Sequence, residues 1–434
     1  MSKPAIGFCG LGAMGFGMAT HLVKQGYEVT GFDVWQPSLD KFKAAGGIPS
    51  TSLFESAKDK TFYIVMVATA QQAQTAIFGD GTGKDEGILK GLPQGVTLLL
   101  CSTVPSEYAK SVEKELKDVG RDDVFFIDAP VSGGAIRAAD GTLSIMAGAS
   151  SAAIDKGKWL LDELSAPTKL FVVAGGVGAG SNMKMVHQVL AAIQILSVSE
   201  AFGFAAKLGL EGTEVREKVI KSEAWSWMFE NRSVRTLTED YFPGASAVTI
   251  IVKDTGIITS MARLLNFPSY LVSAAEQVYF AAVDKGYGAN DDAGIVRLWT
   301  SEPVNSVKST LSPEEKETKL DFVVSLLTGI HLVAAVESIA FAKHVGLPLP
   351  QLYELAVEAA GGSTQFKGFG TKLISILENG TGEEEVRDHL GRLKAAVNEA
   401  QTLKCPLYLG GAALNLLVSA NASLEGLLKL YTVR

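Results

Sequence analysis

The chain has 434 residues, too many for one ordinary hydrophobic core, so two to four domains are expected. Its composition, 47% hydrophobic and 20% charged with 45 glycines, excludes a disordered or fibrous chain. A net charge of -8, with Lys and Arg scattered along the sequence, argues against a nucleic-acid or membrane-surface footprint and leaves small-molecule chemistry as the better fit.

The N-terminal run MSKPAIGFCG enters a strand almost at once and leaves no room for a signal or transit segment, so a cytoplasmic protein is expected. In AIGFCGLGAMGFGMATHLVKQGYEVTGFDV an apolar run turns through Gly10, Gly12 and Gly15, continues as an apolar-periodic helix to Gly26, and meets a second β-like run ending at Asp33. Strand, glycine loop, helix and strand in that order make a dinucleotide fingerprint over Gly10, Leu11, Gly12, Ala13, Met14 and Gly15. Gly10 allows the tight turn, Gly12 lets a pyrophosphate reach backbone N–H groups at the helix N-terminus, and Gly15 lets helix and strand pack closely. Asp33, 18 residues past Gly15, stands where a carboxylate accepts from the adenosine ribose hydroxyls and repels a 2'-phosphate. Val34, Trp35, Gln36 and Pro37 offer no Arg to hold that phosphate, so the expected cofactor is NAD rather than NADP.

Further apolar strands are predicted at 62–70, 96–103 and 124–130, each after a helical stretch, which implies a doubly wound, mainly parallel sheet. Val67, Ala68, Thr69 and Thr103 at the carboxyl ends of these strands are candidate cofactor lining, or simply strand-end residues. After the last strand, Ser132, Gly133 and Gly134 place a hydroxyl beside two glycines whose N–H groups can converge on a substrate carboxylate.

The glycine-rich opening GGVGAGSN leads into a helix that is apolar almost all round until Glu200. Lys184 lies in its first turns among Met183, Met185 and Val186, where burial lowers the ammonium's pKa toward that of a general acid/base for alcohol–carbonyl interconversion. The alternative is a lysine that snorkels to water. His187 and Gln188, at i+3 and i+4, share its helix face and are both candidates for the substrate oxygen.

The segments GLGAMGFGMA, DAPVSGG, GAGSNMKMVHQ and VKDTGI together resemble the β-hydroxyacid dehydrogenase family, over residues 1 to about 300. The later wording, KMVHQ, AWSWMFENR and KDTGI followed by GYGANDDAG, is most similar to the family's L-threonate dehydrogenase branch. The resemblance implies that Ser132, Gly133 and Gly134 bind the substrate carboxylate, that Lys184 is the proton donor or acceptor, that Lys253 lies near the cofactor, and that Asp254 and Asp291 give support. It implies a small hydroxy acid as substrate. A 6-phosphogluconate-like oxidative decarboxylase and a non-catalytic NAD-sensing protein are the rival readings; no Arg-rich motif secures a sugar phosphate, and Lys184 with Ser132 argues against a vestigial site.

From about residue 315 the chain runs past the common family length and repeats itself. Residues 326–356 echo 189–219 at a constant offset of 137, with Glu337 falling on Glu200, and LKCPLYLGGAA echoes LNFPSYLVSAA. The projection sets Asp321 on Lys184 and Gly391 on Lys253, so the second copy lacks the chemistry. The fold expected is an α/β Rossmann domain (1–176), a helical catalytic domain (177–302) and a second helical domain (315–434) related to the first by internal repeat, joined by a polar linker. The second copy is expected to act as an internal pseudo-dimer partner, giving a monomer or dimer with no membrane or nucleic-acid partner. Cys9, Cys101 and Cys405 are odd in number and unpaired in spacing, which suggests neither disulfides nor a metal site, and the uncharged stretch Cys405 to Ser423 reads as a buried helix.

Overall fold

A computed structural model describes residues 3–83, 86–242, 244–357, 359–380 and 384–432. The chain divides into two compact units, Met1–Met185 and Val186–Arg434. The first turns of the lysine helix, which the sequence reading places in the second domain, therefore belong to the first unit, and both expected helical domains lie in one unit.

The first unit is built on a six-stranded parallel sheet in the order Ile48–Pro49, Val29–Phe32, Ile6–Cys9, Phe62–Val65, Thr97–Leu100, Phe125–Asp128. Alternation along each strand feeds two cores. Ile6, Phe8, Ile64, Leu99 and Ile127 pack with Met18, Leu22 and Leu160, whereas Cys9, Tyr63, Val65, Leu98, Leu100 and Phe126 pack with Ile77, Val112 and Leu116. A sheet apolar on both faces must be covered on both, which is the doubly wound arrangement expected. Strand order reverses between Ile6–Cys9 and Phe62–Val65, and the glycine loop leaves the sheet at that point.

The strands are shorter than their apolar runs. Phe62–Val65 stops before Val67 because Thr69 already caps the helix Ala70–Phe78, its hydroxyl accepting the Gln72 N–H at 3.1 Å while Gln72 Oε1 accepts the Thr69 N–H at 3.2 Å. A second sheet was not expected: Val131–Ser132 runs antiparallel to Leu143–Ala147, which runs parallel to Ser165–Val172.

The second unit is helical among the described residues. Its helices are the remainder of Ala179–Leu208, then Gly212–Ile220, Trp227–Thr238, Val248–Leu264 and Tyr270–Asp284, and, beyond the segment around residue 310, Pro313–His344, Leu349–Val357, Thr364–Asn379, Arg387–Thr402, Tyr408–Ser419 and Leu424–Tyr431. Ala179–Leu208 and Pro313–His344 are long and apolar enough to cross a membrane, but 94% of each apolar window is buried inside the fold, so core packing accounts for their composition.

Ser226 and Ser363 each cap a helix, accepting from the Phe229 N–H at 3.2 Å and the Phe366 N–H at 3.0 Å, and the two serines also pair with one another in an antiparallel bridge. In that bridge the Trp227 N–H donates to the Gly362 carbonyl at 2.9 Å and the Thr364 N–H donates to the Trp225 carbonyl at 3.0 Å. Buried Glu200 accepts the N–H groups of Leu409 and Gly410 at 3.0 and 2.8 Å, and buried Glu337 accepts those of Leu271 and Val272 at 2.8 and 3.0 Å.

Candidate active site

The glycine loop has the shape a dinucleotide requires. Gly10 adopts φ +94°, and a Cβ there would lie 2.2 Å from the Met66 carbonyl oxygen and 3.0 Å from Val67 Cγ1, which brings the loop against the carboxyl end of the next strand. At Gly15 a Cβ would lie 1.9 Å from the Gly10 carbonyl oxygen, so the helix Ala13–Lys24 can start this close to the loop only with glycine. At Gly12 nothing stands within 4 Å of the same position, and that side is open to a pyrophosphate. Ala13 and Met14 form the first turn of that helix, which has no acidic residue in it to compete for an anion.

Asp33 closes the arrangement from the neighbouring strand. Its Oδ2 accepts the Leu11 N–H at 2.6 Å and its Oδ1 accepts the Trp35 N–H at 2.8 Å, so the carboxylate is aimed by the loop it serves. On the other side of the switch point, the Val67 N–H donates to Ser102 Oγ at 2.8 Å, which ties Val67 to the residue before Thr103. Gly10 to Gly15, Asp33, Val67, Ala68 and Thr103 thus gather at one edge of the sheet. Thr69 spends its hydroxyl as the helix cap described above, and the Ala68 N–H also donates to Gln72 Oε1 at 3.0 Å.

Ser132 is buried in the second sheet, paired with Ser144, and the chain then turns through Gly133 at φ +141° and Gly134 at φ +74° into the helix Gly134–Asp140. A side chain at Gly133 would meet Arg137 Cδ at 2.8 Å, whereas nothing stands within 4 Å of the Gly134 position. Two consecutive glycines at positive φ carry the chain from the strand into the helix, so this corner needs residues without a side chain.

Lys184 is 6% exposed. The start of its helix is held by Asp128, a residue that sequence reading passed over as a strand end. Asp128 Oδ2 accepts the Ser181 N–H at 2.8 Å and the Gly178 N–H at 3.1 Å, and Oδ1 accepts the Ser181 hydroxyl at 2.6 Å. Burial pushes the Asp128 carboxyl up to about 6, against the lowering effect of those donors. The backbone also closes there: a Cβ on Gly180 would lie 2.3 Å from the Met146 carbonyl oxygen.

In the second unit the two residues after Lys184 on its helix face part company. His187 is fully buried, and a side chain at Gly361 would lie 3.3 Å from its Cδ2, so its ring packs beneath the later helical segment. Gln188 is half-buried and its Nε2 donates to Asp254 Oδ2 at 2.6 Å, while Lys253 Nζ lies 3.1 Å from Asp254 Oδ1. Asp291 is far from this chemistry in role: burial alone would raise its carboxyl, but the Arg235 guanidinium and the N–H groups of Ala293 and Ser246 hold it below the usual carboxylate value. It fastens a turn.

Comparison with known proteins agrees with this geometry. Residues 5–176 match the family model of the NAD binding domain of 6-phosphogluconate dehydrogenase, and residues 178–299 match that of the NAD-binding region of NADP-dependent 3-hydroxyisobutyrate dehydrogenase. The chain is 32% identical over 297 residues to an L-threonate dehydrogenase of Haemophilus influenzae, covering 68% of this chain and 95% of that protein. A 3-hydroxyisobutyrate dehydrogenase from Salmonella typhimurium superposes with a TM-score of 0.62 at 31% identity, covering 68% of this chain and all of that one (100%). The 6-phosphogluconate dehydrogenase of Plasmodium falciparum, only 16% identical, shares the fold over 95% of this chain and 92% of its own with a TM-score of 0.69, so the fold match extends through the helices past residue 300. The chain belongs to the β-hydroxyacid dehydrogenase family and is an NAD-binding oxidoreductase acting on CH–OH groups.

Proposed function

We propose that this oxidoreductase interconverts a small hydroxy acid, threonate-like in class, and its oxo acid or semialdehyde, with Lys184 as the proton acceptor and donor. The observation that carries the reading is Lys184 itself: a lysine side chain 6% exposed, on a helix whose start is anchored through Ser181 to Asp128. A lysine enclosed to this degree is costly without a polar task. Bound NAD supplies the hydride acceptor. The Gly10–Gly15 loop would hold its pyrophosphate and Asp33 its adenosine ribose; the Ser132 hydroxyl and the Gly133 and Gly134 N–H groups would fix the substrate carboxylate. As the C–H hydrogen leaves with its electron pair, the hydroxyl proton passes to Lys184 Nζ and the carbon–oxygen double bond forms. The substrate class rests on the 32% identity to an L-threonate dehydrogenase. Lys184→Ala should lower turnover by at least about 100-fold with NAD affinity retained; a variant of near-normal rate would sink the assignment.

We infer further that the helical region is one unit present twice, the second copy without the lysine and packed on the first as an internal partner. Three features support this: the order of helix lengths, the pairing of Ser226 with Ser363 at the offset of 137, and the exchange of caps, in which Glu200 serves the helix of the later segment and Glu337 that of the earlier. Surface that a separate subunit would otherwise cover is then buried within one chain.

A further inference from the structure

Within the helical unit, Arg216, Trp227, Glu230, Asn231, Val234 and Arg235 line a cleft of about 550 Å³. Trp227, Glu230, Asn231 and Val234 recur at helical spacing and present one face of the helix Trp227–Thr238, with Arg216 beside them on Gly212–Ile220. Both arginines are fastened from behind. Arg216 Nε donates to the hydroxyl of fully buried Ser233 at 3.0 Å, and Arg235 Nε donates to fully buried Asp291 at 2.8 Å. Among the described residues the two Nη groups of Arg216 have no hydrogen-bond or ion-pair partner. A guanidinium held by its Nε has lost its freedom before a ligand arrives, so its open fork binds a carboxylate at a smaller entropic cost.

The opposite charge in the cleft is kept away from that fork. Glu230 Oε2 accepts the Trp225 indole N–H at 2.7 Å, and among the described residues no ion pair joins Glu230 to either arginine. Asn231 Oδ1 accepts from Arg232 Nη1 at 2.8 Å and from Arg235 Nη1 at 3.4 Å, which turns its NH2 group away from the guanidinium groups. The cleft thus offers an unpaired cation, a separate carboxylate acceptor and an apolar lining of Trp227 and Val234. A bare inorganic anion satisfies the arginines but meets the Glu230 charge. A plain alkanoate leaves Glu230 without a donor. We propose that this cleft is a binding site for a small carboxylic acid bearing a donor group, a hydroxyl or an ammonium, next to its carboxylate. The carboxylate pairs with the Arg216 fork and the donor group with Glu230. None of these residues takes part in the reaction proposed above.

The test is calorimetric titration of the full-length protein without NAD, with glycerate and serine set against propionate and inorganic phosphate. Glycerate or serine should bind at least about 10-fold more tightly than propionate or phosphate, and the tighter of the two identifies the donor as hydroxyl or ammonium. Ser132→Ala, which disables the carboxylate site of the proposed reaction, should keep one such site per chain. Arg216→Met leaves Ser233 its bond to the Glu230 carbonyl at 3.2 Å, so it should fold, retain its affinity for NADH and bind the favoured acid at least about 10-fold more weakly. Glu230→Ala should bring that acid down to the affinity of propionate. Phosphate bound as tightly as either acid marks a plain anion site and overturns the proposal. It is equally overturned by unchanged affinity in Arg216→Met, by loss of the site in Ser132→Ala, or by a wild type that binds neither acid. None of these results touches the assignment of Lys184, which rests on turnover.

Discussion

Glu337 accepts the Leu271 N–H at 2.8 Å and so closes, from a helix 66 residues later in the chain, the N-terminus of the helix Tyr270–Asp284. Its second oxygen takes the Val272 N–H, and the Tyr431 hydroxyl donates at 3.0 Å to the same oxygen as Leu271. Truncation at this carboxylate would orphan two buried N–H groups and a buried hydroxyl. Glu337→Ala should therefore destabilise the protein by about 3 kcal/mol or more, measured by chemical denaturation, whereas Glu337→Gln keeps an acceptor and should cost less.

The same burial gives a pH dependence with a definite sign. Burial pushes both Glu200 and Glu337 from a usual 4.5 up to about 7. A folded pKa above the unfolded one means that the native state holds more protons in this window, so the contribution of these groups to stability is full below about 4.5 and is lost as pH rises through about 7. His331 works the other way, since burial pushes its imidazole down to about 3 and its contribution is lost on acidification below 6.5. The difference in Tm between wild type and Glu200→Gln/Glu337→Gln isolates the carboxyl effect: the double variant should lose the decline in Tm between pH 5 and pH 8. A wild-type and variant pair with parallel profiles would count against it.

The parts legible in sequence are those whose physics is local. Gly15 is required by the Gly10 carbonyl of its own loop, Gly10 stands at φ +94° in the turn itself, and Asp33 occupies a strand end, so spacing alone points to them. Asp128 was missed because its partners, Gly178 and Ser181, are 50 and 53 residues downstream, and nothing in DAPVSGG marks a helix anchor. His187 and Gln188 are equivalent on a helical wheel; only packing from Gly361 and the carboxylate of Asp254 separates them. Glu200 and Glu337 stand out as matched positions, but that each serves the other's segment is a tertiary fact. Strand ends were overread where a cap, such as Thr69, competes with the sheet for the same residues.

Removal of residues 315–434 should leave the remaining chain without the acceptor for the Leu271 and Val272 N–H groups and without the Gly361 carbonyl that takes the Gln194 amide at 2.9 Å. It would also uncover the apolar surface of Ala179–Leu208. The truncated protein should aggregate or form a new dimer, as read by light scattering on a sizing column. A well-behaved, fully active monomer would show that the later helices are an independent accessory.

Asp33→Ala should weaken NAD binding by roughly 10-fold and narrow the preference for NAD over NADP, because the variant loses both the ribose acceptor and the charge that repels a 2'-phosphate. The Leu11 N–H, held at 2.6 Å in the native loop, also loses its partner. Asp33→Asn separates the two effects: it keeps an acceptor for Leu11 but not the charge, so NAD affinity should fall less while discrimination against NADP falls as far. The pair of dissociation constants, measured by fluorescence of the reduced cofactors, checks this.

Asp128 offers a way to move the lysine helix without touching the cofactor loop. Its carboxylate meets two N–H groups and the Ser181 hydroxyl, so Asp128→Ala should cost about 2–3 kcal/mol of stability and release the first turn of the helix three residues before Lys184. Asp128→Asn retains one acceptor and should fold. If Lys184 must be held in place to receive the proton, Asp128→Asn should lower kcat by about 10-fold or more, since small misplacements of a catalytic group are costly, while Kd for NAD stays near that of the wild type. A parallel fall in kcat and in NAD affinity would instead mean that Asp128 supports the whole first unit, and an unchanged kcat would mean that the helix keeps its place without it.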